Sequence, residues 1–213
     1  KFSMSILAVN LSQEINGVSR LHGAVSRKMF AGMWKGYMPE ELHIGHVTNG
    51  VHLNTWVADS WRKLYLKVFG NEFFTNQQDR ELWNRIHQVP DEEISNIRNE
   101  ERKALIDFIK DRLSRASARH LEDPRMTLEI SDSLNDKALT IGFARRFATY
   151  KRANLLFTDL ERLSAIVNSE EMPVQFVFAG KAHPKDIPGQ QLIKRIVEIS
   201  KMPEFVGKVI FLQ

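Results

Sequence analysis

The 213-residue sequence contains no cysteine, which excludes disulfides and thiolate metal sites. No apolar run approaches the roughly 20 residues that a membrane-spanning helix needs, and no signal peptide is visible. The sequence also lacks a Gly-x-Gly-x-x-Gly fingerprint, a Walker loop and a Gly-x-Ser-x-Gly nucleophile elbow. These absences predict a cytoplasmic protein that has no membrane partner and no ordinary dinucleotide site.

The composition is that of an ordinary globular protein. Hydrophobic residues make up 43% of the chain and charged residues 26%, which is enough apolar material for a core. The net charge of +4 is mild, whereas a nucleic-acid-binding domain usually carries a denser basic face. We therefore expect no nucleic-acid partner, and the length suits one large or two small domains.

Strands and helices alternate in the second half of the sequence. Short apolar runs at residues 138–144, Val174–Ala179 and Val209–Leu212 are typical of strands. Between them, apolar residues at helical spacing predict helices over residues 150–167 and 190–199. Strands that are apolar on both faces and separated by helices predict a parallel sheet covered on both sides, so the fold class is α/β and Rossmann-like.

The first half is predicted to be mainly helical. Apolar spacing predicts helices over Met4–Leu11 and residues 60–69 and 81–86, another around residues 25–34, and a long helix that opens at Pro90. Residues 16–19 and 123–124 carry turn signals. Residues 43–60 show no regular spacing of apolar residues and include an Asn-Gly pair, which is typical of a turn. We therefore predict a loop that crosses between two structural units.

A cluster of cations follows the first of the predicted strands. Arg145, Arg146, Lys151 and Arg152 lie close together with no acid among them. In an α/β sheet the carboxyl end of a strand faces the amino end of the next helix, where anions bind. Uncompensated positive charge there favours phosphate, because arginine offers a planar fork of donors and lysine a compact charge. The alternative is a solvated charged turn.

Three weaker patterns have both a structural and a functional interpretation. Asn49 could bind a sugar hydroxyl as donor and acceptor, although its spacing alone favours a turn. Lys181 follows the second strand and could reach an anion, with a strand-to-helix turn as an equal alternative. His43, His46 and His52 have weak spacing and no carboxylate or cysteine cluster nearby, so we expect no metal site.

Both ends of the sequence suggest a longer protein. The first residue is Lys1 rather than methionine, and residues 208–213 read as a buried strand. An α/β sheet that stops on a strand normally continues with further units. We therefore expect an internal fragment of a larger enzyme.

Four motifs occur in a fixed order along the chain. They are Asn16-Gly-Val-Ser-Arg-Leu-His22-Gly23, Val47-Thr-Asn-Gly-Val-His52 with Trp56, Gly142-Phe-Ala-Arg-Arg-Phe-Ala-Thr-Tyr-Lys-Arg152, and Phe178-Ala-Gly-Lys-Ala-His-Pro184. This ordered set resembles the α-glucan (glycogen, starch and maltodextrin) phosphorylases, and most closely their shorter bacterial and archaeal branch. The resemblance covers nearly the whole chain, with residues 60–130 the least diagnostic.

The resemblance implies a twin-Rossmann glycosyltransferase with its active site between two lobes. Residues 1–47 would form the helical end of the first lobe, and residues 48–213 the beginning of a parallel β/α second lobe. The activity implied is cleavage of terminal α-1,4-glucosyl units of a glucan by inorganic phosphate, giving glucose 1-phosphate with retained configuration. The implied cofactor is pyridoxal 5'-phosphate, whose own phosphate shuttles the proton. Such enzymes are commonly homodimers.

The resemblance also implies roles for individual residues. Arg146 and Lys151 match the arginine and lysine that hold the substrate phosphate. Tyr150 matches a tyrosine that touches the sugar, and Asn49 an asparagine that binds the glucosyl hydroxyls, which reverses the turn interpretation of Asn49. Residues that lie in or beside the matching motifs without a defined role, and so are weaker candidates, are Arg145, Lys181, His22 and His52.

Departures from the family pattern leave alternatives open. The larger animal and plant enzymes carry histidine and glutamate where this sequence has residues 147–149, which fits the short branch. The family's cofactor-bearing lysine falls in a region beyond Gln213, so none of these lysines is assigned to it and the isolated chain is expected to be inactive. The alternatives are a nucleotide-sugar glycogen synthase-like transferase and a non-catalytic fragment that binds glucan or phosphate.

Overall fold

The computed structural model describes residues 2–120 and 124–212. The described residues group into two compact units, one of residues 2–62 with 71–77 and the other of residues 63–70 with 78–120 and 124–212. None of the helices in these ranges is both long and apolar enough to cross a membrane. The predicted division after residue 47 concerns the lobes of a larger protein and stays a prediction.

The first unit places short helices around two short strands. Its elements are α1 (Met4–Leu11), β1 (Ile15–Gly17), α2 (Arg20–Phe30), β2 (Ile44–His46), α3 (Leu53–Trp56) and the start of α4 (Asp59–Phe69). Strands β1 and β2 pair in parallel, with Ile15 opposite Ile44. Leu42, Ile44 and Phe73 are buried. The apolar core of this unit is therefore small.

Helix α2 approaches the two strands closely because glycine occupies the contact. The helix begins where the Ser19 hydroxyl accepts the His22 N–H at 3.1 Å, a side-chain cap. A Cβ at Gly17 would overlap the backbone nitrogen of Gly23, and a Cβ at Gly23 would lie 2.9 Å from the Gly45 carbonyl oxygen. The observed approach of α2 to β1 and β2 therefore requires hydrogen at both positions.

One prediction for the first unit is wrong, and another is right only in part. The segment 43–60, predicted as a loop, contains β2, α3 and the start of α4. The turn predicted at residues 16–19 is present at residues 18–19, but residues 16–17 belong to β1. Strands of only three residues are too short to show a period. Their pairing also depends on a partner far away in sequence. The predicted helices α1 and α4 are confirmed.

The second unit is a β/α unit with a long helix before it. Its elements, after the end of α4, are α5 (Arg80–Asn84), α6 (Asp91–His120), α7 (Pro124–Ser133), β3 (Leu139–Ala144), α8 (Leu160–Val167), β4 (Val174–Ala179), α9 (Ile187–Ser200) and β5 (Val209–Leu212). The predicted strands, the helix that becomes α9 and the long helix α6 after Pro90 are confirmed. Helix α7 was not predicted, and Asp123 of the predicted loop lies outside the described residues.

Strands β3, β4 and β5 form a parallel sheet in that order. Leu139 pairs with Val174 and Ala144 with Ala179, so the β3–β4 ladder is regular along its whole length. This arrangement confirms the parallel α/β sheet predicted from apolar strands separated by helices. It also brings the carboxyl ends of β3 and β4 side by side, where the cation cluster begins.

Helices cover both faces of the sheet over its central strand. On one face Phe176 and Phe178 of β4 pack with α8 and α9, in a cluster that includes Val167 and Ile196. On the other face Val177 and Ile210 pack with Ile106 and Ile109 of α6. The cover is incomplete at β3, where Leu139 is 58% exposed and Ile141 43%. The sheet is thus covered on both sides at its centre but not along β3.

The helix predicted over residues 150–167 is wrong in its first half. The segment forms two 3-10 turns, Thr149–Lys151 and Ala153–Phe157, and α8 begins only at Leu160. Arg152 stands between the turns with φ 54°, a left-handed conformation that an α-helix cannot contain. The Asp159 side chain then accepts the Arg162 N–H at 2.9 Å and caps α8. The sequence does have apolar residues at helical spacing here, but the left-handed Arg152 and the cap at Asp159 interrupt the helix.

Candidate functional site

The cation loop, residues 145–152, continues the edge of the sheet past the end of β3. The Arg145 N–H donates to the Ala179 carbonyl at 3.1 Å, and the Phe147 N–H donates to the Lys181 carbonyl at 3.0 Å. These two bonds attach the loop to the segment that follows β4. The backbone that carries the cations is therefore fixed against the neighbouring strand rather than projecting freely into solvent.

Phe147 anchors this loop in the apolar core. Its side chain is fully buried, with ring centroids 5.4 Å from Phe143 and 5.7 Å from Phe211. The neighbouring Arg145 and Arg146 are exposed. Because burying a phenylalanine stabilises by about 1.5–3 kcal/mol, Phe147 can fix the loop at the point where the charges lie.

Two glycines make room for the loop. Gly180 has φ 146°, and a Cβ there would overlap the Arg145 carbonyl oxygen. Gly189, near the start of α9, would place a Cβ 2.8 Å from the Phe147 carbonyl oxygen. The loop therefore packs against backbone on both sides, at positions where any larger residue would displace it.

The loop carries positive charge that no neighbouring acid neutralises. Among residues 2–120 and 124–212, no carboxylate forms an ion pair with Arg145, Arg146, Lys151 or Arg152. The ammonium of Lys151 lies 5.7 Å from the centre of the Tyr150 ring, and this ring is 76% exposed. Such a set of donors suits a phosphate group, which accepts charge-assisted hydrogen bonds from both arginine and lysine.

No α-helix begins directly after the cations, contrary to the prediction. The segment after Phe147 is the 3-10 turn Thr149–Lys151, and Asp159 caps the amino end of α8. A helix dipole therefore contributes little at this place, since its effect falls off within the first turn. The positive potential of the loop comes from its side chains.

The turn after β4 supplies a further exposed cation, Lys181. Its carbonyl holds the cation loop through Phe147, as described above. Nδ1 of His183 accepts the Lys185 N–H at 3.1 Å, and the Asp186 carboxylate caps α9 by accepting the Gly189 N–H at 3.0 Å. The carboxylate of Asp186, the acid of this turn, therefore bonds to the start of α9 and forms no ion pair with Lys181.

Asn49 lies in the first unit, in an extension of the pairing between β1 and β2. The Val47 N–H donates to the Gly17 carbonyl at 2.9 Å, and the Asn49 N–H donates to the Val18 carbonyl at 3.2 Å. The Asn49 side chain is exposed. The backbone is thus fixed while the amide faces outward, an arrangement that leaves its donor and acceptor accessible to a sugar hydroxyl.

The two weaker histidine candidates make local contacts within the first unit. Nδ1 of His22 accepts the Val18 N–H at 3.1 Å, and this bond sets the tautomer with hydrogen on Nε2. Nδ1 of His52 lies 2.7 Å from the Thr55 hydroxyl oxygen. Within the described part of the chain, no three histidine, aspartate or glutamate side chains gather as a group that could hold a metal ion.

The structure therefore brings some of the predicted site residues together, those of the second unit. The candidates of the second unit, on the cation loop and the adjoining turn, are Arg145, Arg146, Tyr150, Lys151 and Lys181. The candidates of the first unit are His22, Asn49 and His52. Their roles toward a ligand stay predictions.

Sequence reasoning missed three residues that shape the cation loop: Phe147, Gly180 and Gly189. Phe147 could have been suspected, because it is a large apolar residue within a run of cations, but no period marks it as buried. Gly180 follows a strand directly, which signals a turn but not the close contact with Arg145. Gly189 lies at a helix start and gives no signal of its own.

Comparison with known proteins relates the chain to one family. A family model described as carbohydrate phosphorylase matches residues 1–205. The glycogen phosphorylase of Aquifex aeolicus is 42% identical over 214 residues, which cover 100% of this chain and 30% of the relative. The maltodextrin phosphorylase of Thermococcus litoralis is 38% identical over 210 residues, which cover 98% of this chain and 24% of the relative.

A third relative, the glycogen phosphorylase of Mycobacterium tuberculosis H37Rv, is 37% identical over 212 residues, which cover 100% of this chain and 24% of that protein. The chain thus spans between 24% and 30% of the length of these relatives. The match runs through both units of the chain, including the cation loop and the segment that carries Asn49.

Proposed function

The chain belongs to the carbohydrate phosphorylase family, and we propose that it forms part of an α-1,4-glucan phosphorylase. The proposed reaction transfers the terminal glucosyl unit of a glucan to inorganic phosphate and yields glucose 1-phosphate. The names of the relatives, glycogen and maltodextrin phosphorylase, support this substrate class. Because the chain spans only 24–30% of each of these relatives, the proposed activity belongs to a larger protein of which this chain forms a part.

One observation carries the proposal. The cation loop presents four exposed or half-exposed positive side chains at the carboxyl edge of a parallel sheet, with no carboxylate of the described residues paired to them. The carboxyl edge is where α/β sheets bind their ligands. A dianionic phosphate removes the repulsion among these charges and gains hydrogen bonds from them, so it is the ligand that best fits this loop.

Within the proposal, each residue acts by binding and orienting. Arg146 and Lys151 hold the attacking phosphate, and they stabilise the charge that develops as the anomeric carbon becomes cationic. Tyr150 contacts the sugar ring beside the phosphate, and Asn49 binds glucosyl hydroxyls. Placing phosphate and sugar in a fixed geometry lowers the entropic part of the barrier.

The cofactor in this proposal is pyridoxal 5'-phosphate, and the described residues fit only part of it. The cation loop has the donors that a cofactor phosphate would need. No lysine of residues 2–120 and 124–212 is buried, so none is placed in the desolvated setting of a covalently attached cofactor. When bound, the cofactor's phosphate would supply proton transfer in a reaction with retained configuration. None of the steps assigned to this chain passes through it.

A nucleotide-sugar transferase on the same fold is the second candidate, because it would also hold a phosphate with arginine and lysine. It predicts that the protein uses a nucleoside diphosphate sugar and does not need inorganic phosphate. A non-catalytic fragment that binds glucan or phosphate predicts no transfer in any context. Both differ from the proposal in the dependence of glucose 1-phosphate release on inorganic phosphate.

The test is a chimera in which this chain replaces the matching segment of the Aquifex aeolicus glycogen phosphorylase. We expect glucose 1-phosphate release from a maltodextrin, and a loss of at least about 100-fold in kcat/KM for Arg146→Ala, as for removal of a preorganised charge partner. Arg98→Ala, on the exposed side of α6, is the charge-matched control and should retain activity. An Arg146→Ala chimera as active as its parent would contradict the proposal.

A further inference from the structure

Two backbone hydrogen bonds join the segments that follow β3 and β4. The paired register of the strands ends at Ala144 and Ala179, and Arg145 forms a bend. Beyond that point the Arg145 N–H still donates to the Ala179 carbonyl, and the Phe147 N–H donates to the Lys181 carbonyl. These bonds bring the backbone of the intervening residue, Arg146, beside that of Lys181.

The residues that follow this pair point into the protein, whereas the two cations face solvent. Phe147 and Ala182 both pack against the same apolar cluster. Arg146 and Lys181 are exposed. Gly180, with φ 146°, lets the segment after β4 pass close to the Arg145 carbonyl. Two exposed cations are thus carried by adjoining backbone segments at the end of the sheet.

Two neighbouring cations are unfavourable without a counterion. Like charges carried by adjoining segments repel each other, and the repulsion grows where solvent is partly displaced. Among the described residues no carboxylate forms an ion pair with Arg146 or Lys181, and Asp186 of the adjacent turn caps α9. A bound anion between the two groups turns this repulsion into attraction.

We propose that Lys181 is a further phosphate-binding residue, which acts together with Arg146 on the same phosphate group. This inference rests on the proposed function, since it adds a cation from the turn after β4 to the phosphate site of the loop. The ligand is a phosphate group, carried either by inorganic phosphate or by glucose 1-phosphate. Arg146 supplies a planar fork from the segment after β3, and Lys181 supplies a compact charge from the segment after β4.

Lys185 provides a matched control in the same turn. It is exposed like Lys181, and its backbone N–H bonds to Nδ1 of His183. It lies beyond Lys181, whose carbonyl accepts the Phe147 N–H of the cation loop. Lys185→Gln removes the same charge a few residues away and measures the general electrostatic effect.

The experiment is isothermal titration of inorganic phosphate, and separately of glucose 1-phosphate, into the 213-residue chain. The variants are Lys181→Gln, Lys185→Gln and Arg146→Gln. We expect Lys181→Gln to raise the dissociation constant about fivefold, as for loss of one exposed charge-assisted bond, and Lys185→Gln to change it less than about twofold. Lys181→Arg should restore most of the affinity. A fivefold effect seen with both ligands assigns Lys181 to the phosphate group that they share.

The outcomes separate the two proposals. If Arg146→Gln weakens binding while Lys181→Gln behaves like Lys185→Gln, the role of Lys181 is wrong and the phosphate site of the loop stands. If the unmodified chain binds neither ligand, or if Arg146→Gln has no effect, the phosphate site itself is wrong and Lys181 loses its role with it.

Thermal unfolding distinguishes a phosphate-binding lysine from a purely structural one, because the two predict different changes in Tm. Without phosphate, Lys181→Gln should raise Tm slightly, because it relieves the repulsion with Arg146. With phosphate, the ligand-induced rise in Tm should be smaller in the variant than in the unmodified chain. A variant with lower Tm in phosphate-free buffer and an undiminished phosphate-induced rise would overturn the inference.

Discussion

The two segments proposed to hold ligand are fixed within their units by different means. The cation loop is held by a large apolar side chain, Phe147, which enters a packed core. The segment that carries Asn49 is held by backbone hydrogen bonds to Gly17 and Val18, next to glycines that let α2 approach the strands. The first segment depends on buried apolar area and the second on the shape of the backbone.

The same contrast extends to the units as a whole. The second unit buries a contiguous apolar cluster on one face of its sheet and a smaller one on the other. The first unit exposes many large apolar side chains, among them Phe2, Met4, Leu11, Leu21, Met29, Val51 and Trp56. The phosphate site that we propose needs charges at fixed spacing, and it lies on the better packed unit.

Removing the aromatic anchor should have the largest effect. Phe147→Ala leaves a cavity among Phe143, Phe211 and their neighbours, and we expect a loss of about 3–5 kcal/mol in the free energy of unfolding. Urea denaturation followed by circular dichroism measures this loss. Tyr150→Ala, at an exposed ring in the same loop, should change stability by less than about 0.5 kcal/mol. Equal effects of the two substitutions would refute the anchoring role of Phe147.

The first unit should be most sensitive at its glycine contact. Gly17→Ala forces a methyl group onto the backbone of Gly23, and we expect a loss of about 2–3 kcal/mol as α2 shifts away from β1. Amide hydrogen exchange should accelerate at Val47 and Asn49, whose N–H groups bond to Gly17 and Val18. Gly50→Ala, where a Cβ meets no atom within 4 Å, is the control. Unchanged exchange in Gly17→Ala would show that the close approach does not hold this segment.

A smaller change should displace the cation loop without unfolding it. Gly189→Ala gains about 1 kcal/mol of helix propensity, but its Cβ lies 2.8 Å from the Phe147 carbonyl oxygen, and the two effects oppose each other. We therefore expect a small change in Tm together with a phosphate affinity lowered by about twofold to fivefold. The control is Gly142→Ala on β3, where no atom lies within 4 Å. Equal phosphate affinity in the two variants would show that Gly189 does not help to position the cation loop.

The smallest effect concerns pH and the aromatic cluster of Tyr65, Phe69 and Trp83 in the second unit. Burial raises the pKa of the Tyr65 phenol above its ordinary value. The unfolded chain therefore loses this proton first, so stability is full below about pH 10 and falls as pH rises through the folded pKa. Tyr65→Phe should flatten the decline of Tm above pH 10. Identical pH profiles for the two proteins would contradict the assignment of this decline to Tyr65.

Features that follow from residue periodicity were predicted correctly. The apolar runs of β3, β4 and β5 gave a parallel sheet, and the spacing in α6 gave a long helix. The cation loop was placed correctly at the carboxyl end of β3 for the same reason. Each of these features is supported by several residues at regular spacing. A single atypical residue therefore does not hide the pattern.

Features that depend on one residue or on a distant partner were missed. The left-handed Arg152 broke a helix that the apolar spacing predicted. Strands β1 and β2 are too short for a period and exist only as a pair. The backbones of Arg146 and Lys181 are brought together by two hydrogen bonds between segments that are separated by a helix. No local pattern carries that information.

The most direct test of the central claim is a phosphate titration that observes individual side chains by NMR. The signals of the Arg146 Nε–H and Lys151 ammonium should shift and saturate with one common dissociation constant, and the Arg98 signal on α6 should not follow them. That result would place phosphate on the cation loop. Shifts that rise linearly without saturation, and equally at Arg98 and at Arg146, would mean that the loop is only a solvated charged turn.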